Sequence, residues 1–370
     1  MPQSGTGVLK LLKQKGKNRA LLVDPAEYSG GEAEGITVPF QMVKQYNLVE
    51  GAVVVGQVRG SGRNAQLHSV ETVCGLSPEQ FAKRIPYTKL TAITPDQRFN
   101  LAAAGNTSMR VVDLLAPIAK GTRGLIVSPP RAGKTMILEQ IAMGIHAGDP
   151  KTRIIAFLID ERPEEVTHFR RQVDAEVIAS SNDRNINEHT TLTQFVMNHV
   201  IAELECGRDV VVLVDSLTRM ARAFNLKGSP EGRGRIMSGG IQAGTLEVPR
   251  RFFGMARNIE NGGSVTIIAT VLVDTGSRMD QLIFEEFKGT GNSEIVLDRK
   301  LAEARIFPAI NINASGTRRE EVLFKEAEFE QITKLRRALS AVKSGQEGME
   351  LFLKFLVKYP TNQDFLNDKS

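Results

Sequence analysis

Three short apolar runs constrain the fold of this 370-residue chain more than any other feature. They cover residues 154–159, 210–214 and 264–271, with little polar interruption. Runs of this length are typical of strands that are buried on both faces of a sheet. Segments with helical spacing lie between or before them, at 136–146 and 191–204. This alternation predicts an α/β fold, with a mostly parallel sheet covered by helices.

The amino-terminal part of the chain has a different pattern. Residues 51–59 and 64–73 flank the turn at 60–63 and predict a β-hairpin. Several short strands in so few residues predict a small barrel over 1–75. We expect a connector over 76–120. An α/β domain with a helical carboxyl-terminal part is predicted over 121–370.

Composition narrows the class of protein only modestly. The formal net charge is +5 and the pI is about 9.1, which favours an anionic partner such as RNA, DNA or acidic lipid. Neither cysteine, Cys74 or Cys206, stands in a CxxC pair, so neither zinc nor a disulfide framework is indicated. No apolar run is long enough for a signal peptide or a membrane helix, and we expect a cytoplasmic protein with no membrane partner.

A candidate phosphate site lies between a predicted strand at 124–127 and the helical segment at 136–146. This is the context of a P-loop, where backbone N–H groups and a helix amino terminus hold phosphates. Ser128 stands where the pattern has its first glycine, so a chance match stays open. Lys134 is placed to reach the β and γ phosphates, and Thr135 to hold Mg²⁺. The candidate nucleotide contacts are Pro130, Arg131, Ala132, Gly133, Lys134, Thr135 and Met136.

Two acidic residues follow buried strands further along the chain. Asp215 ends the run at 210–214 and is a candidate ligand of Mg²⁺, although it could instead cap the next helix. Glu161 follows the run at 154–159 and is the candidate base for the attacking water, or alternatively an acid that stabilises a helix terminus. The carboxyl ends of parallel strands share one edge, so the strand ends at Ser128, Asp160 and Asp215 should converge there. Together they predict ATP hydrolysis.

Longer stretches of sequence resemble one family. They are LIDERPEEVTHFRR (158–171), VVLVDSLTRMARAFN (211–225), PRRFFGMARNIENGGSVTIIAT (249–270), DTGSRMDQLIFEEFKGTGN (274–292), ARIFPAINI (304–312) and SGTRREE (315–321). From about residue 7 onward the chain resembles the bacterial transcription termination factors of the Rho family. The resemblance implies a RecA-like P-loop ATPase core behind an OB or cold-shock-like barrel. It also implies an RNA-dependent ATPase that translocates along RNA and terminates transcription.

The resemblance further implies a homohexameric ring with ATP between neighbouring subunits. Lys134, Thr135 and Asp215 match the phosphate and metal positions, Glu161 matches the catalytic base, and Arg131 replaces a lysine. Further site residues are carried over by position: Arg162 near ATP, Phe307 on the adenine, Arg305 at the interface and Arg318 as the arginine finger. RNA polymerase and elongation factors are the expected partners, together with single-stranded RNA.

Two glycine-bearing loops resemble those that hold RNA in the ring's channel. The first contains Arg235, Ile236, Gly239 and Gly240, and the second contains Arg278 where the family usually has lysine. Glycine allows a loop to change conformation, and arginine supplies a phosphate contact. A mobile surface loop is the alternative interpretation.

The barrel departs from the family pattern. Its aromatic strand is replaced by the segment 15–22, and a stacking tyrosine is replaced by Thr37. Phe40 and Tyr46 are the nearby aromatics, each of which could instead pack inside. Basic residues at the amino end could hold phosphates without reading bases, namely Lys10, Lys13, Lys15, Lys17 and Arg19. Primary RNA binding by the barrel is therefore an open question.

Two other interpretations remain. One is a family-like ATPase that has lost its primary RNA site and performs another task. The other is a catalytic subunit of a rotary ATP synthase, which shares the core fold. The loops at 228–240 and 274–280 argue against the synthase, as does the departure from its usual P-loop.

Overall fold

A computed structural model describes residues 3–14, 17–228 and 238–368. Its amino-terminal strands close into a barrel with the order β1-β2-β3-β5-β4. The barrel strands are β1 (Gln3–Gln14), β2 (Lys17–Val23), β3 (Ile36–Thr37), β4 (Val53–Arg59) and β5 (Gln66–Val73), and α1 (Phe40–Gln45) lies between β3 and β4. The predicted small barrel is confirmed.

The alternation of side chains explains why β4 and β5 close the barrel. Buried Val54 and Val58 alternate with partly exposed neighbours along β4, as expected for a strand with one face on a core. The predicted hairpin is confirmed, because β4 pairs antiparallel with β5. Gly56 permits the close pairing, since a Cβ there would lie 1.9 Å from the carbonyl oxygen of Ser69.

The second part of the chain is built on a sheet that has nine strands within the described residues. Six of them run parallel in the order β13-β7-β12-β10-β8-β9, and β14 and β11 pair antiparallel at the periphery. The strands are β6 (Ala92–Ile93), β7 (Arg123–Ser128), β8 (Arg153–Glu161), β9 (Glu176–Ser181), β10 (Asp209–Asp215), β11 (Arg257–Ile259), β12 (Ser264–Leu272), β13 (Ser293–Val296) and β14 (Gly316–Thr317). The predicted α/β fold is confirmed.

Helices cover both faces of this sheet, and their apolar side chains form two large clusters with the strands. Helix α2 (Pro78–Ala82) packs on the barrel instead, through Phe81. The helices of the α/β part are α3 (Thr107–Leu115), α4 (Lys134–Gly148), α5 (Pro163–Gln172), α6 (Ile186–Glu205), α7 (Leu217–Lys227), α8 (Glu247–Gly254), α9 (Arg278–Lys288) and α10 (Arg299–Glu303). The carboxyl-terminal helices are α11 (Glu326–Ser340), α12 (Gly345–Lys358) and α13 (Asn362–Leu366), as predicted.

Helix α3 lies inside the segment that the sequence suggested as a connector. Its side chains Met109, Val111 and Leu114 are fully buried in the cluster that also holds the inner face of α4. This part of the segment therefore packs into the core of the α/β part of the chain. The domain boundaries at 75 and 120 remain predictions.

The barrel packs against α6 of the α/β part. The ring of Tyr28 lies edge-on to Phe195 at 4.9 Å between centroids. His199 Nδ1 is 2.7 Å from the carbonyl oxygen of Gly51, and Arg84 pairs with Glu205 at 2.9 Å. An apolar contact and a hydrogen bond thus hold the barrel on α6, and the ion pair of Arg84 ties the segment after the barrel to the same helix. Among the described residues, no helix is long and apolar enough to cross a membrane.

Candidate nucleotide and RNA sites

The P-loop lies where the sequence predicted it, between β7 and α4. Arg131 and Gly133 have φ values of 65° and 94°, so the chain turns sharply before the first residue of α4. Glycine adopts this conformation without steric cost, which explains its place before Lys134. The turn leaves the first N–H groups of α4 facing the carboxyl edge of the sheet, where they can bind an anion.

Lys134 lies between the two predicted carboxylates. Its Nζ is 2.6 Å from Asp215 Oδ2 and 3.3 Å from Glu161 Oε2. Thr135 Oγ1 is 3.4 Å from the same ammonium, and Thr270 donates to Asp215 Oδ1 at 2.8 Å. The side chains of both carboxylates are at most 3% exposed. The predicted convergence of three strand ends is therefore observed.

A local irregularity directs Glu161 into the site. Asp160 has a φ of 56°, and the pairing of β8 with β9 shifts in register between Ile159 and Glu161. A bulge of this kind re-aims the side chain that follows it. Glu161 consequently points inward from the last position of β8, whereas the sequence suggested that the strand ends at Ile159.

Sequence reasoning missed Arg219, which also contacts Glu161. Its Nη2 is 3.1 Å from Glu161 Oε1, and it lies in the first turn of α7. Its position four residues after Asp215 was the available signal, because the first turn of the helix after β10 also faces this edge. Glu161 thus has one cationic partner on each side, Lys134 and Arg219.

Burial and charge set the protonation of this cluster. Burial raises the pKa of Glu161, the nearby charge of Asp215 raises it further, and Lys134 and Arg219 oppose this without cancelling it. Burial alone would lower the pKa of Lys134, but Asp215 and Glu161 outweigh it, so the net pKa is raised. Lys134 is therefore held in its charged form between the carboxylates.

Three further candidates lie at or near the same edge. Met136 is 48% exposed in the first turn of α4, and exposed Arg162 precedes α5 directly after Glu161. Phe307 follows α10 and is 43% exposed. Its segment returns to the carboxyl end of β13, where the backbone N–H of Asp298 donates to the carbonyl of Ala309. The ring of Phe307 thus offers a flat apolar surface at the edge of the sheet that carries the P-loop. Arg305, two positions before Phe307, is exposed and has a φ of 60°.

Arg318 lies at the other end of the sheet. It directly follows β14, whose Thr317 pairs with Ser293, and Ser293 pairs with Gly124 at the amino end of β7. The P-loop follows the carboxyl end of β7, so Arg318 and Lys134 of one chain are on opposite edges. Arg318 is exposed on a cavity of about 520 Å³ that is also lined by Arg123 and Arg257.

The two predicted RNA loops meet each other. A Cβ on Gly239 would lie 2.4 Å from a side-chain atom of Leu282 and 3.4 Å from the carbonyl oxygen of Arg278, so the glycine packs on the start of α9. Gly240 has a φ of 79°, and its carbonyl accepts a hydrogen bond from Asn225 at 3.1 Å. Arg278 is exposed. The predicted contacts Arg235 and Ile236 lie outside the described residues.

The barrel's basic side chains differ from the expectation in one respect. Lys10 is buried and pairs with Glu50 at 2.6 Å, so it is not available to hold a phosphate. Arg19 is exposed, and the side chains of Lys13, Lys15 and Lys17 are outside the description. The interpretation of Lys10 as a phosphate contact was therefore wrong, because its charge neutralises an acid at the junction with α6.

The barrel's two nearby aromatics have different environments. Phe40 is 37% exposed at the start of α1, with Lys44 Nζ 5.9 Å from the ring centroid. Tyr46 is partly buried against the barrel core. Of the two, Phe40 is the aromatic that is accessible for stacking.

The fold and the P-loop define a class of nucleotide-binding domain. Residues 108–317 match the model of the ATP synthase alpha/beta family, nucleotide-binding domain. A prototypical ATPase from a bacterial type III secretion system has a similar structure, with a TM-score of 0.62 at 21% identity over 83% of this chain and 85% of that one. The assembled type III secretion ATPase EscN of enteropathogenic E. coli gives a TM-score of 0.60 at 18% identity, over 96% and 87% of the two chains.

Closer relatives share most of the sequence. Transcription termination factor Rho of Bacillus subtilis is 43% identical over 98% of this chain and 83% of its own length. The factor of the same name from Pseudomonas aeruginosa is 43% identical over 98% and 87%. The chain belongs to the Rho family of transcription termination factors.

Other relatives are much longer. Rho of Micrococcus luteus is 47% identical over 90% of this chain but only 50% of its own length, and the figure for Streptomyces lividans Rho is 47% of its length. The chain thus spans about half the length of these two relatives.

Proposed function

We propose that the protein is an ATP-driven RNA translocase that terminates transcription. The observation that carries this proposal is the position of Lys134 between two buried carboxylates, at the edge of the sheet where a P-loop ATPase holds its nucleotide. Membership of the Rho family supplies the biological context, because relatives covering most of the chain carry that name.

The residues present fit ATP and Mg²⁺. Lys134 already places a cation between Asp215 and Glu161, so the cluster is built around positive charge. Asp215 and the hydroxyl of Thr135 are hard oxygen ligands of the kind that Mg²⁺ prefers. Bound Mg²⁺ would neutralise charge on the phosphates. The α4 N–H groups and Lys134 would hold these phosphates, and Phe307 would pack on the base.

Glu161 is the proposed base for the attacking water. Its raised pKa, which follows first from burial, gives it more affinity for a proton than an exposed carboxylate has. Arg219 and Lys134 hold its two oxygens in place in the described structure. Once Lys134 turns toward phosphate, one oxygen of Glu161 becomes available to a water molecule.

The arrangement of Arg318 supports a ring in which it acts on a neighbour. Because Lys134 and Arg318 are on opposite edges of one sheet, an arginine finger at this position must serve the site of another subunit. An arginine supplied in this way accelerates phosphoryl transfer by roughly 10³–10⁵. We propose a homohexamer with Arg318 as the finger and Arg305 near the same interface.

RNA is the proposed polymer. The loops that carry Gly239, Gly240 and Arg278 meet at the start of α9, and the first loop directly follows α7, which also carries Arg219. Arg278, the proposed contact for an RNA phosphate, is therefore connected through neighbouring segments to Arg219. Arg219 in turn pairs with the candidate base Glu161. RNA polymerase and elongation factors in the cytoplasm are the proposed partners.

The test is ATP hydrolysis by the purified full-length chain with and without single-stranded RNA. We expect turnover that rises several-fold with RNA and that falls in an Arg278→Ala variant. Arg299→Ala is a matched control, because Arg299 is an exposed arginine at the start of another helix and pairs only with Glu303 in the described contacts. Turnover that does not respond to RNA would contradict the proposal.

A second candidate is a family-like ATPase without a working primary RNA site. It is favoured by the ion pair that withdraws Lys10 from RNA and by Thr37 on β3. This candidate predicts ATPase activity that requires RNA at the two motor loops, with little affinity of the barrel for RNA.

A further inference from the structure

The loop that carries Arg318 has little regular structure of its own. Strand β14 is two residues long, and it pairs with β13 through only two residue pairs. The backbone N–H of Arg318 donates to the carbonyl of Asn292 at 2.8 Å. The guanidinium of Arg318 is exposed and makes no hydrogen bond or ion pair with the residues that the structure describes. The direction of this side chain therefore depends on how the backbone around it is fixed.

One side chain of α11, Arg336, bonds to the loop on both sides of Arg318. Its Nη1 donates to the carbonyl oxygen of Ser315 at 3.2 Å, three positions before Arg318. Its Nη2 lies 3.1 Å from Oε2 of Glu320, two positions after Arg318. The same Nη2 donates to the carbonyl of Leu115 at the end of α3. A single guanidinium thus joins both sides of the loop to two helices.

The helix that carries Arg336 is itself fixed in the core. Leu335 and Leu339 of α11 are buried in the same apolar cluster as Leu115. The side chain of Arg336 is 23% exposed and that of Glu320 is 18% exposed. Ion pairs that are largely shielded from water are screened by salt much less than surface pairs. Arg336 is therefore a well-anchored support for the loop.

The three contacts require the geometry of an arginine. A guanidinium is planar and carries five N–H donors in a fixed fork, so it can bond to two carbonyls and a carboxylate together. The ammonium of a lysine is a compact charge at the end of a flexible stem. Lysine at position 336 would keep the attraction to Glu320 but would not span all three acceptors.

We propose that Arg336 is a positioning residue for ATP hydrolysis, which holds Arg318 in the direction that reaches the nucleotide of the neighbouring subunit. This inference rests on the proposed function, because it requires that Arg318 acts as a finger between subunits. Arg336 acts on the reaction through the loop, by way of Ser315 and Glu320. A misplacement of about 1 Å, caused by a change far from the reacting atoms, can cost on the order of 100-fold in rate.

The test measures RNA-stimulated ATP hydrolysis by the full-length wild type, Arg336→Ala, Arg318→Ala and the double variant. Arg336→Ala should lower kcat by up to about 100-fold. Its KM for ATP should change little, because the P-loop of each subunit is intact. The double variant should be no slower than Arg318→Ala, since both changes act through one group. Arg336→Lys should recover little of the loss. Arg337→Ala is the matched control, because Arg337 is the next residue of α11 and is exposed.

Subunit mixing separates this role from a purely structural one. Arg336→Ala subunits should regain turnover when they are mixed with Lys134→Ala subunits, because some interfaces then combine an intact P-loop with an intact Arg318 loop. A defect in the nucleotide site of the Arg336→Ala subunit itself would not be restored in this way. Glu320→Ala removes one contact and leaves the two carbonyl bonds of Arg336. It should lower kcat by a smaller factor, and it tests the inference independently if Arg336→Ala does not fold.

Three outcomes would overturn the inference and leave Arg318 as the finger. They are an unchanged kcat in Arg336→Ala, a double variant slower than Arg318→Ala, and Arg336→Ala mixtures that stay inactive although Arg318→Ala mixtures recover. If Arg336→Ala does not fold, an unchanged kcat in Glu320→Ala would overturn it as well. A wild-type rate in Arg318→Ala would instead contradict the finger itself, and with it both the proposed role of Arg318 and this inference.

Discussion

The ammonium of Lys134 lies 2.6 Å from the carboxylate of Asp215, although 81 positions of sequence separate the two residues. The carboxylate is almost fully buried and Lys134 is its nearest cation in the described contacts. Buried charge of this kind is stable only when it is paired. Lys134, the proposed phosphate contact, therefore also stabilises the buried carboxylate.

Lys134→Ala should abolish ATP turnover and weaken the fold. The substitution removes the phosphate contact and leaves two buried carboxylates with less compensation, which costs about 3 kcal/mol or more. Turnover should fall at least ~100-fold, and the urea midpoint should drop. Lys151→Ala is the control, because Lys151 is exposed beyond the end of the same helix. Wild-type turnover in Lys134→Ala would exclude 128–135 as the catalytic site.

Glu161→Gln should retain ATP binding and lose hydrolysis. The amide keeps the shape of the side chain but cannot accept a proton from water. Calorimetry should give an affinity close to that of the wild type, with turnover lower by on the order of 10²–10⁴. An equal loss of affinity would indicate a structural or metal-binding role instead.

The pH dependence of the wild type should report the same residue. A base must be deprotonated to act, and burial raises the pKa of Glu161 above its ordinary 4.5. The acidic limb of the kcat profile should therefore lie above pH 4.5, with the rate falling as the pH falls through it. A limb at or below that value would indicate a different base.

Arg318→Ala subunits should regain activity when they are mixed with Lys134→Ala subunits. Each variant lacks a different half of the interface, so some interfaces in a mixed ring combine an intact Lys134 with an intact Arg318. ATP turnover of the mixture should exceed the sum of the two separate variants. Inactive mixtures with demonstrated subunit exchange would show that Arg318 is not a finger acting on its neighbour.

RNA binding by the barrel should be weak and steeply dependent on salt. Exposed cations bind RNA through its phosphates and do not distinguish bases. The affinity for RNA then falls with salt concentration, more steeply the more phosphates are neutralised. Without ATP, the full-length chain should bind poly-C and poly-A with similar affinity at two salt concentrations. Phe40→Ala should leave this ratio unchanged. A strong, salt-tolerant preference for poly-C that Phe40→Ala removes would show that Phe40 stacks on bases.

The stability of the contact between the barrel and α6 should depend on Glu176. Its carboxylate is bonded to His199 of α6, which is also bonded to the carbonyl of Gly51 beside the barrel. Burial works to raise the pKa of this carboxyl, but the hydrogen bond and charge of His199, together with Arg153, lower it to about 2. A folded-state pKa below the ordinary 4.5 means that the contribution is present above pH 4.5 and is lost as the pH falls toward 2. In Glu176→Gln, the urea midpoint should change less with pH between pH 4.5 and about pH 2 than it does in the wild type. An unchanged slope would contradict this assignment.

The sequence by itself determined the α/β class and the strand ends at Ser128 and Asp215. Local pattern was enough because a strand buried on both faces must be apolar throughout, and parallel strands share one edge. It also indicated the nucleotide site, since the P-loop chemistry lies within eight consecutive residues, 128–135. Its prediction for Lys10 failed, because the pairing of Lys10 with Glu50 depends on how the barrel sits against α6.

Only the tertiary structure decided which distant groups meet. The bulge at Asp160 turns Glu161 inward, Arg219 reaches it from α7, and Arg318 falls on the opposite edge of the sheet from Lys134. Such distances depend on strand order and on the packing of one domain against another. Periodicity along the chain fixes which face each side chain occupies but carries no information about its partner across that packing.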